Sequence, residues 1–456
     1  MNGFGNRDIS VQDLYKALTT NNFAQMQGPA AQTGGAAFIP ESLENTLRTL
    51  TYTENNLKLW KQLPKVKAYS TVEEHNVINN YGEDISAFQR EGIAGINTTG
   101  DYQRQAAKVK CINTTREVTH LMELVKTTEN PMALETQSGM RYLLGQTEKA
   151  LFYGDSALAP KGQEGLEWDG IFKQAEAANT IDLKGKHLSD VELNKASEII
   201  LNNYGTPTKL YAPIPVTSIF SEQYYPEQRM MMNVQAGTVT AGTMVTQFNS
   251  VGGTVGIEPD VFMRRGLERL DPTAPAYGTQ APTPPTVAVA RGDVDSAEEF
   301  DNGSYKYAVV AYSSFGKSVA VVSDAVAVTA EDNTQSVKLT IKNAAAQLFP
   351  ADYFAIYRTE ANGDNFYEIA RIGVESINTG AETVFEDKNE VLPNTGVAIV
   401  GDFREEAIAF KQLSDMFKLD YAITAPVKRF GIFLYGMSVV YMPKRFVTIK
   451  NIKVKR

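Results

Sequence analysis

Three stretches of the chain decide its architecture: Tyr69-Ser-Thr-Val-Glu-Glu-His-Asn-Val-Ile-Asn-Asn-Tyr81, then Gly92-Ile-Ala-Gly-Ile-Asn-Thr-Thr-Gly100, then Gln103-Arg-Gln-Ala-Ala-Lys-Val-Lys-Cys-Ile-Asn-Thr-Thr-Arg-Glu-Val-Thr-His-Leu121. The outer two are β-prone, with Lys108 and Lys110 alternating with Val109 and Cys111, and the middle one is a turn region rich in Gly and Thr. Together they predict one long β-hairpin, Tyr69–Leu121. Such a ribbon is too polar to bury both faces, and two strands alone are only marginally stable in water. It needs another surface to lie on. A neighbouring subunit is a natural candidate.

Downstream, Asn130-Pro131 opens a helix ending near Phe152, with Met140, Leu143, Leu144 and Leu151 at helical spacing. It would span about 30 Å at roughly 1.5 Å per residue. Gly139 and Gly145 inside it cost about 1 kcal/mol each against Ala unless close packing uses them. Ser189-Asp-Val-Glu192 is a capping box launching a helix with Val191, Ala196, Ile199 and Ile200 as its buried stripe. That helix stops at Tyr204-Gly205, where the glycine suits a left-handed position. The strand Lys209–Ala212 and a helix over 213–224 follow. Upstream, Ser10 caps a short helix carrying Val11, Leu14, Tyr15 and Leu18, and Gln25–Ala37 reads as a flexible arm. A second helix runs from Pro40 to about Thr51.

Pro272, Pro275, Pro282, Pro284 and Pro285 mark a stiff linker. The texture beyond it is all β: Ser304–Tyr312, Ser318–Val322, Val337–Ile341, Tyr353–Arg358 and Phe366–Ile372. Gly401–Arg456 returns to a mixed pattern, with a helix expected near Glu405–Met416 and strands around Ile432–Val440 and Phe446–Val454. Charge divides at the same borders. Thr273–Ile399 holds 17 acidic and 8 basic residues, which accounts for the whole net charge of −9, and the rest of the chain is neutral. A separate acidic module on a neutral, self-packing body is the expectation.

Chemistry is sparse. His75, His120 and His187 are far apart, none with a Cys or second His at ligand spacing, so no metal and no cofactor is expected. No Gly-x-Ser-x-Gly elbow is present. Val251-Gly-Gly-Thr-Val-Gly256 lacks the Lys-Ser/Thr ending of a phosphate loop. Glu405-Glu406 reads as a helix-capping pair. The lone Cys111 reads as a small buried hydrophobe. The N-terminus lacks the layout of a secretory signal and no apolar run reaches membrane length. The expected role is therefore not enzymatic. The basic end, from Lys444-Arg445 through Lys450, Lys453, Lys455 and Arg456, reads first as a solvated strand face, with non-specific phosphate contact as the functional alternative.

The order of elements resembles the HK97-type capsid fold of tailed-phage major capsid proteins. The hairpin Tyr69–Leu121 is similar to the extended loop of that family, Pro131–Phe152 to its spine helix, and Ser189–Pro213 to its peripheral-domain helix and strand. Leu434–Pro443 and Val447–Val454 look like its closing strands. Within the late segment, Gly303–Ala311 with Gly316-Lys-Ser318 resembles the late hairpin of fibronectin type III modules, and Tyr353–Arg358 a middle strand. These come in the reverse of the usual order, so an immunoglobulin-like sandwich is expected, in a permuted form.

The resemblance implies an α+β subunit with five parts. These are an arm and helices at 1–62, the hairpin region at 63–124, the spine helix with peripheral and axial domains at 125–271, the inserted sandwich at 272–400, and a return to the core at 401–456. It also implies self-assembly into pentamers and hexamers of an icosahedral shell around phage DNA, built in the host cytoplasm. The portal, a scaffold or protease, packaged DNA, and a host surface or decoration protein on an outward-facing insert are the implied partners, with no membrane. Tyr81, Arg90, Arg104, Lys108 and Lys110 would serve contacts between subunits. Lys450, Lys453, Lys455 and Arg456 would face the DNA. An encapsulin-like compartment shell, or a surface- or carbohydrate-binding protein using the sandwich, is the alternative.

Overall fold

The structure, a computed structural model, describes residues 51–82, 86–88, 90–92, 95, 97–125, 130–223, 245–344, 349–423 and 425–455. The arm, both N-terminal helices and Arg456 lie outside them.

The ribbon is present but shorter than expected. Val72–Asn80 pairs antiparallel with Asp101–Lys108, from Val72 opposite Lys108 to Asn80 opposite Asp101. Neither strand pairs with any other among the described residues. The next strand, Lys110–Thr119, leaves the hairpin at Val109 and lies against Val427–Val440, with Cys111 opposite Tyr435. Residues 110–121 therefore belong to the body and not to the hairpin. The period-2 pattern continues across Val109, so sequence alone could not show the change of partner.

That second sheet orders Lys65–Lys67, Ile408–Gln412 and Val427–Val440, with Phe417–Asp420 and Lys110–Thr119 also on the long strand. Its inner face carries Phe410, Phe430, Ile432 and Leu434, all fully buried against the long helix Pro131–Tyr153. The outer face carries Cys111, which is exposed and not buried as expected. Alternation explains this: Lys110, Ile112, Thr114, Arg116 and Val118 take the covered face of their strand. The helix expected near Glu405–Met416 is instead strands Ile408–Gln412 and Phe417–Asp420, and Glu405-Glu406 lies in a turn that caps nothing. Ala407-Ile-Ala-Phe410 is buried throughout, and a short apolar run of that kind fits strand and helix equally well by period.

The long helix needs both its glycines. A Cβ at Gly139 would stand 2.8 Å from Ile432 Cδ1, and one at Gly145 would stand 2.5 Å from the Tyr52 hydroxyl. Beside this core lies a six-stranded sheet ordered Thr180–Asp182, Phe446–Lys453, Thr395–Gly401, Lys209–Pro213, Gly253–Asp260, Gln247–Ser250. The helix Asp190–Asn202 covers it, opened by the expected capping box of Ser189 and Glu192. Leu193, Ala196, Ser197 and Ile200 form the buried stripe, whereas Val191 is exposed. Tyr204, with φ of 58°, takes the left-handed position expected of Gly205. Gly205 is required for space, since a Cβ there would meet Ile200 and Arg445 at 2.8 and 2.9 Å.

The late segment forms two larger antiparallel sheets and a short antiparallel pair, Gly303–Tyr305 with Val326–Val328. One orders Thr286–Asp295, Gln335–Lys342 and Glu382–Asp387. The other is built on Tyr307–Ser313, Tyr353–Thr359 and Phe366–Gly373. Val337, Leu339 and Ile341 of the first share a core with Val309, Ala311, Phe354 and Ile356 of the second, which makes a β-sandwich. It does not hang on a free linker. Arg269–Leu270 adds a strand to it beside Phe366–Gly373. Glu368 takes Arg265 at 2.5 Å and Arg371 at 2.7 Å, and the Lys161 amide donates to the Val374 carbonyl at 2.9 Å. The acidic segment is a module by core but is fastened to the body.

Candidate assembly surface

One face of the ribbon is half-buried near its base, where His75 packs on Tyr441, and beyond that both faces meet solvent among the described residues. Arg104 pairs across it with Glu74 at 3.2 Å. Near its far end Tyr81 is 76% and Phe88 94% exposed, and Arg90 is exposed too. Gly82 turns the chain with φ of 83°, its amide taken by Asn80 Oδ1 at 3.0 Å. Large aromatic side chains left this open are the groups expected to be covered by another surface.

The base of the ribbon is clamped on both strands. Glu73 accepts the amides of Tyr69 and Ser70 at 2.8 and 3.0 Å and pairs with Lys411 at 3.5 Å. On the returning side Lys108 and Lys110 converge on Glu164, at 2.9 and 2.5 Å, and Lys110 also donates to the Gly165 carbonyl. The bonds from Lys110 and Lys108 hold the Glu164 carboxyl down at about 2. Of the five ribbon residues singled out from sequence, Lys108 and Lys110 thus sit together as anchors within their own subunit. Arg104 is in the middle, and Tyr81 and Arg90 are toward the tip. Sequence reading missed Glu164 because it sits in a loop with no pattern of its own.

A second apolar area closes the end of the five-stranded sheet. Leu121, Leu124 and Ile423 are 72%, 70% and 68% exposed. The His120 amide donates to the Pro426 carbonyl at 3.0 Å, and Lys428 pairs with Glu123 at 2.9 Å, which brings the two segments together. The signal in the sequence is Leu121-Met-Glu-Leu-Val125, an apolar run with no partner stripe.

Three residues of the basic end are ion-paired where they lie. Arg445 reaches Asp402 at 3.5 Å, Lys450 reaches Asp182 at 3.4 Å, and Lys455 reaches Glu360 at 2.6 Å. The Lys453 amide donates to the Lys186 carbonyl. Among the described residues no group of three His, Cys, Asp or Glu is placed to hold a metal, and no helix is long and apolar enough to cross a membrane.

Residues 16–277 match the family described as SU10 major capsid protein. A capsid-protein relative from Enterococcus phage phiEF24C is 30% identical over 436 residues, covering 93% of this chain and 92% of the relative. The major capsid protein of Staphylococcus phage K is 28% identical over 430 residues, with 93% and 92% covered. Among solved structures, the capsid of a native GTA particle aligns over 92% of this chain and 97% of its own, at 9% identity and a TM-score of 0.46.

Proposed function

The chain belongs to the SU10 major capsid protein family, and from that premise we propose that its copies close into an icosahedral shell of pentamers and hexamers held together by shared ribbons. It is a phage major capsid protein of α+β architecture, so its place is the virion and its role is structural. The observation that carries the ribbon reading is the pairing of Val72–Asn80 with Asp101–Lys108 and with nothing else among the described residues.

Contacts of this kind add up. A hairpin burying on the order of 1,000 Å² of apolar area on a neighbour would gain about 25 kcal/mol gross, before the cost of ordering. Each contact repeats around a closed shell, so modest pairs give a stable whole. Tyr81, Phe88 and Arg90 near the tip are then the groups that meet the neighbour, while Lys108, Lys110 and Glu164 fix the direction in which the ribbon leaves. The exposed end around Leu121, Leu124 and Ile423 is read as contact between subunits of one ring. The acidic sandwich is read as an immunoglobulin-like insert facing outward, available to a decoration protein or a host surface. Lys450, Lys453 and Lys455, with Arg456, are read as facing packaged DNA, where they would add phosphate contact without sequence preference. Portal and scaffold or protease complete the expected partners.

Replacing Tyr81–Gly100 with a two-residue Asn-Gly turn removes the tip and keeps every pair of the base, because Asn80 already lies opposite Asp101. The shortened chain is expected to stay soluble and fail to form closed particles by electron microscopy. Normal particles from it would defeat the ribbon reading.

A further inference from the structure

Two carboxyl groups face each other in the body, and no side chain among the described residues pairs with either as a counterion. Glu148, on the long helix, is fully buried, and its two oxygens accept the amides of Leu59 and Trp60 at 2.7 and 2.8 Å. Asp260, at the end of strand Gly253–Asp260, is 1% exposed, and its Oδ1 accepts the Phe262 amide at 2.7 Å. Its Oδ2 receives no N–H or hydroxyl donor from the described residues. The carboxyl of Glu148 is in hydrogen-bond contact with that of Asp260. The donor that fits between two acceptors is a proton carried by one of them.

The surroundings keep it there. From the segment before Leu59 comes Lys58, and from strand Lys209–Pro213 comes Lys209, but both pair with Glu258 at 3.7 and 3.0 Å. Tyr211 faces the pair from the same strand, with its hydroxyl donating to Gln62 at 2.6 Å. Tyr153 faces it from the long helix, under the Arg265 guanidinium. No free cation from any of these elements answers the two acids. Burial first, and the facing Asp260 second, push Glu148 well above the usual carboxylate range, and burial raises Asp260 also.

We propose that Glu148 and Asp260 share one proton as a latch joining the long helix, the Leu57–Leu63 segment and the end of strand Gly253–Asp260, and that loss of this proton loosens the joint. This goes beyond the shell reading and does not depend on it. The sign follows from linkage. A carboxyl raised in the folded state costs nothing below its unfolded value, and the fold loses stability as pH climbs from there through the raised value. Alkaline pH therefore opens the joint, and acid does not.

The test uses the full-length chain as unassembled subunits, with thermal midpoints measured from pH 6.5 to 9.5. The natural chain is expected to lose several degrees over that range, and Asp260→Asn, whose Oδ1 keeps the Phe262 amide while its N–H turns to Glu148, is expected to flatten the curve. Glu148→Gln, which gives up one of the two amide bonds, should start from a lower midpoint and flatten the curve as well. Hydrogen exchange at the Leu59, Trp60 and Phe262 amides, corrected for intrinsic rate, should quicken at pH 9 in the natural chain alone. Parallel curves for the natural chain and both variants, or exchange at those amides that ignores pH, would overturn the latch.

Discussion

Arg358 is 1% exposed inside the sandwich, yet it carries a full charge there. Its guanidinium meets Asp387 at 2.6 Å and Asn389 at 2.7 Å, and the Tyr307 hydroxyl donates to the same Asp387 at 3.0 Å. A buried pair of this kind adds little net stability while intact, because both charges have lost water, but breaking it strands the survivor. Asp387→Asn is expected to destabilise the fold by about 3–5 kcal/mol, read as an earlier urea midpoint. An unchanged midpoint would mean that Arg358 finds another partner. The clamp at Glu164 behaves in the opposite way, since it is half exposed and ionic. Its pairing is present above the ordinary carboxylate value of 4.5 and is lost as pH falls toward about 2. Glu164→Gln should speed hydrogen exchange through Asp101–Lys108 at neutral pH. High salt should do the same to the natural chain and add nothing to the variant. Neither cluster could be read from sequence, because the partners of Arg358 and Lys108 are remote along the chain: Asp387 ends a strand whose pairing the sequence does not show, and Glu164 sits in a loop without periodicity.

At the level of elements, what was legible is what is local. The helix Pro131–Tyr153 follows from Asn130-Pro131 and apolar residues at helical spacing, and Asp190–Asn202 follows from its capping box. The sandwich strands follow from β-branched and aromatic runs cut by turns. Two misreadings share a cause. Lys110–Thr119 has the right conformation but another partner, and Ile408–Gln412 is a strand where a helix was expected; in both, tertiary pairing decides what period leaves open. The joint between sandwich and body could not be anticipated either, although a glycine sits at its closest approach. A Cβ at Gly373 would stand 2.3 Å from the Ala159 carbonyl oxygen, a backbone atom that cannot turn aside. Gly373→Ala is expected to separate the two parts, so that limited proteolysis cuts near 157–161 and the sandwich core stays protected. A digestion pattern identical to that of the natural chain would show that the joint tolerates the methyl.

For the whole molecule, the ribbon is the feature that its own subunit does not explain. Two paired strands with Tyr81 and Phe88 in water gain nothing for an isolated chain, and they are accounted for once another copy supplies the surface. The claim is tested most directly by a cryo-electron microscopy map of particles assembled from the full-length chain. The expected result is a closed shell in which density for Val72–Lys108 lies across an adjacent subunit, with Tyr81 and Phe88 covered by it. A shell in which every ribbon folds back onto its own subunit, or full-length chain that forms no shell at all, would contradict it.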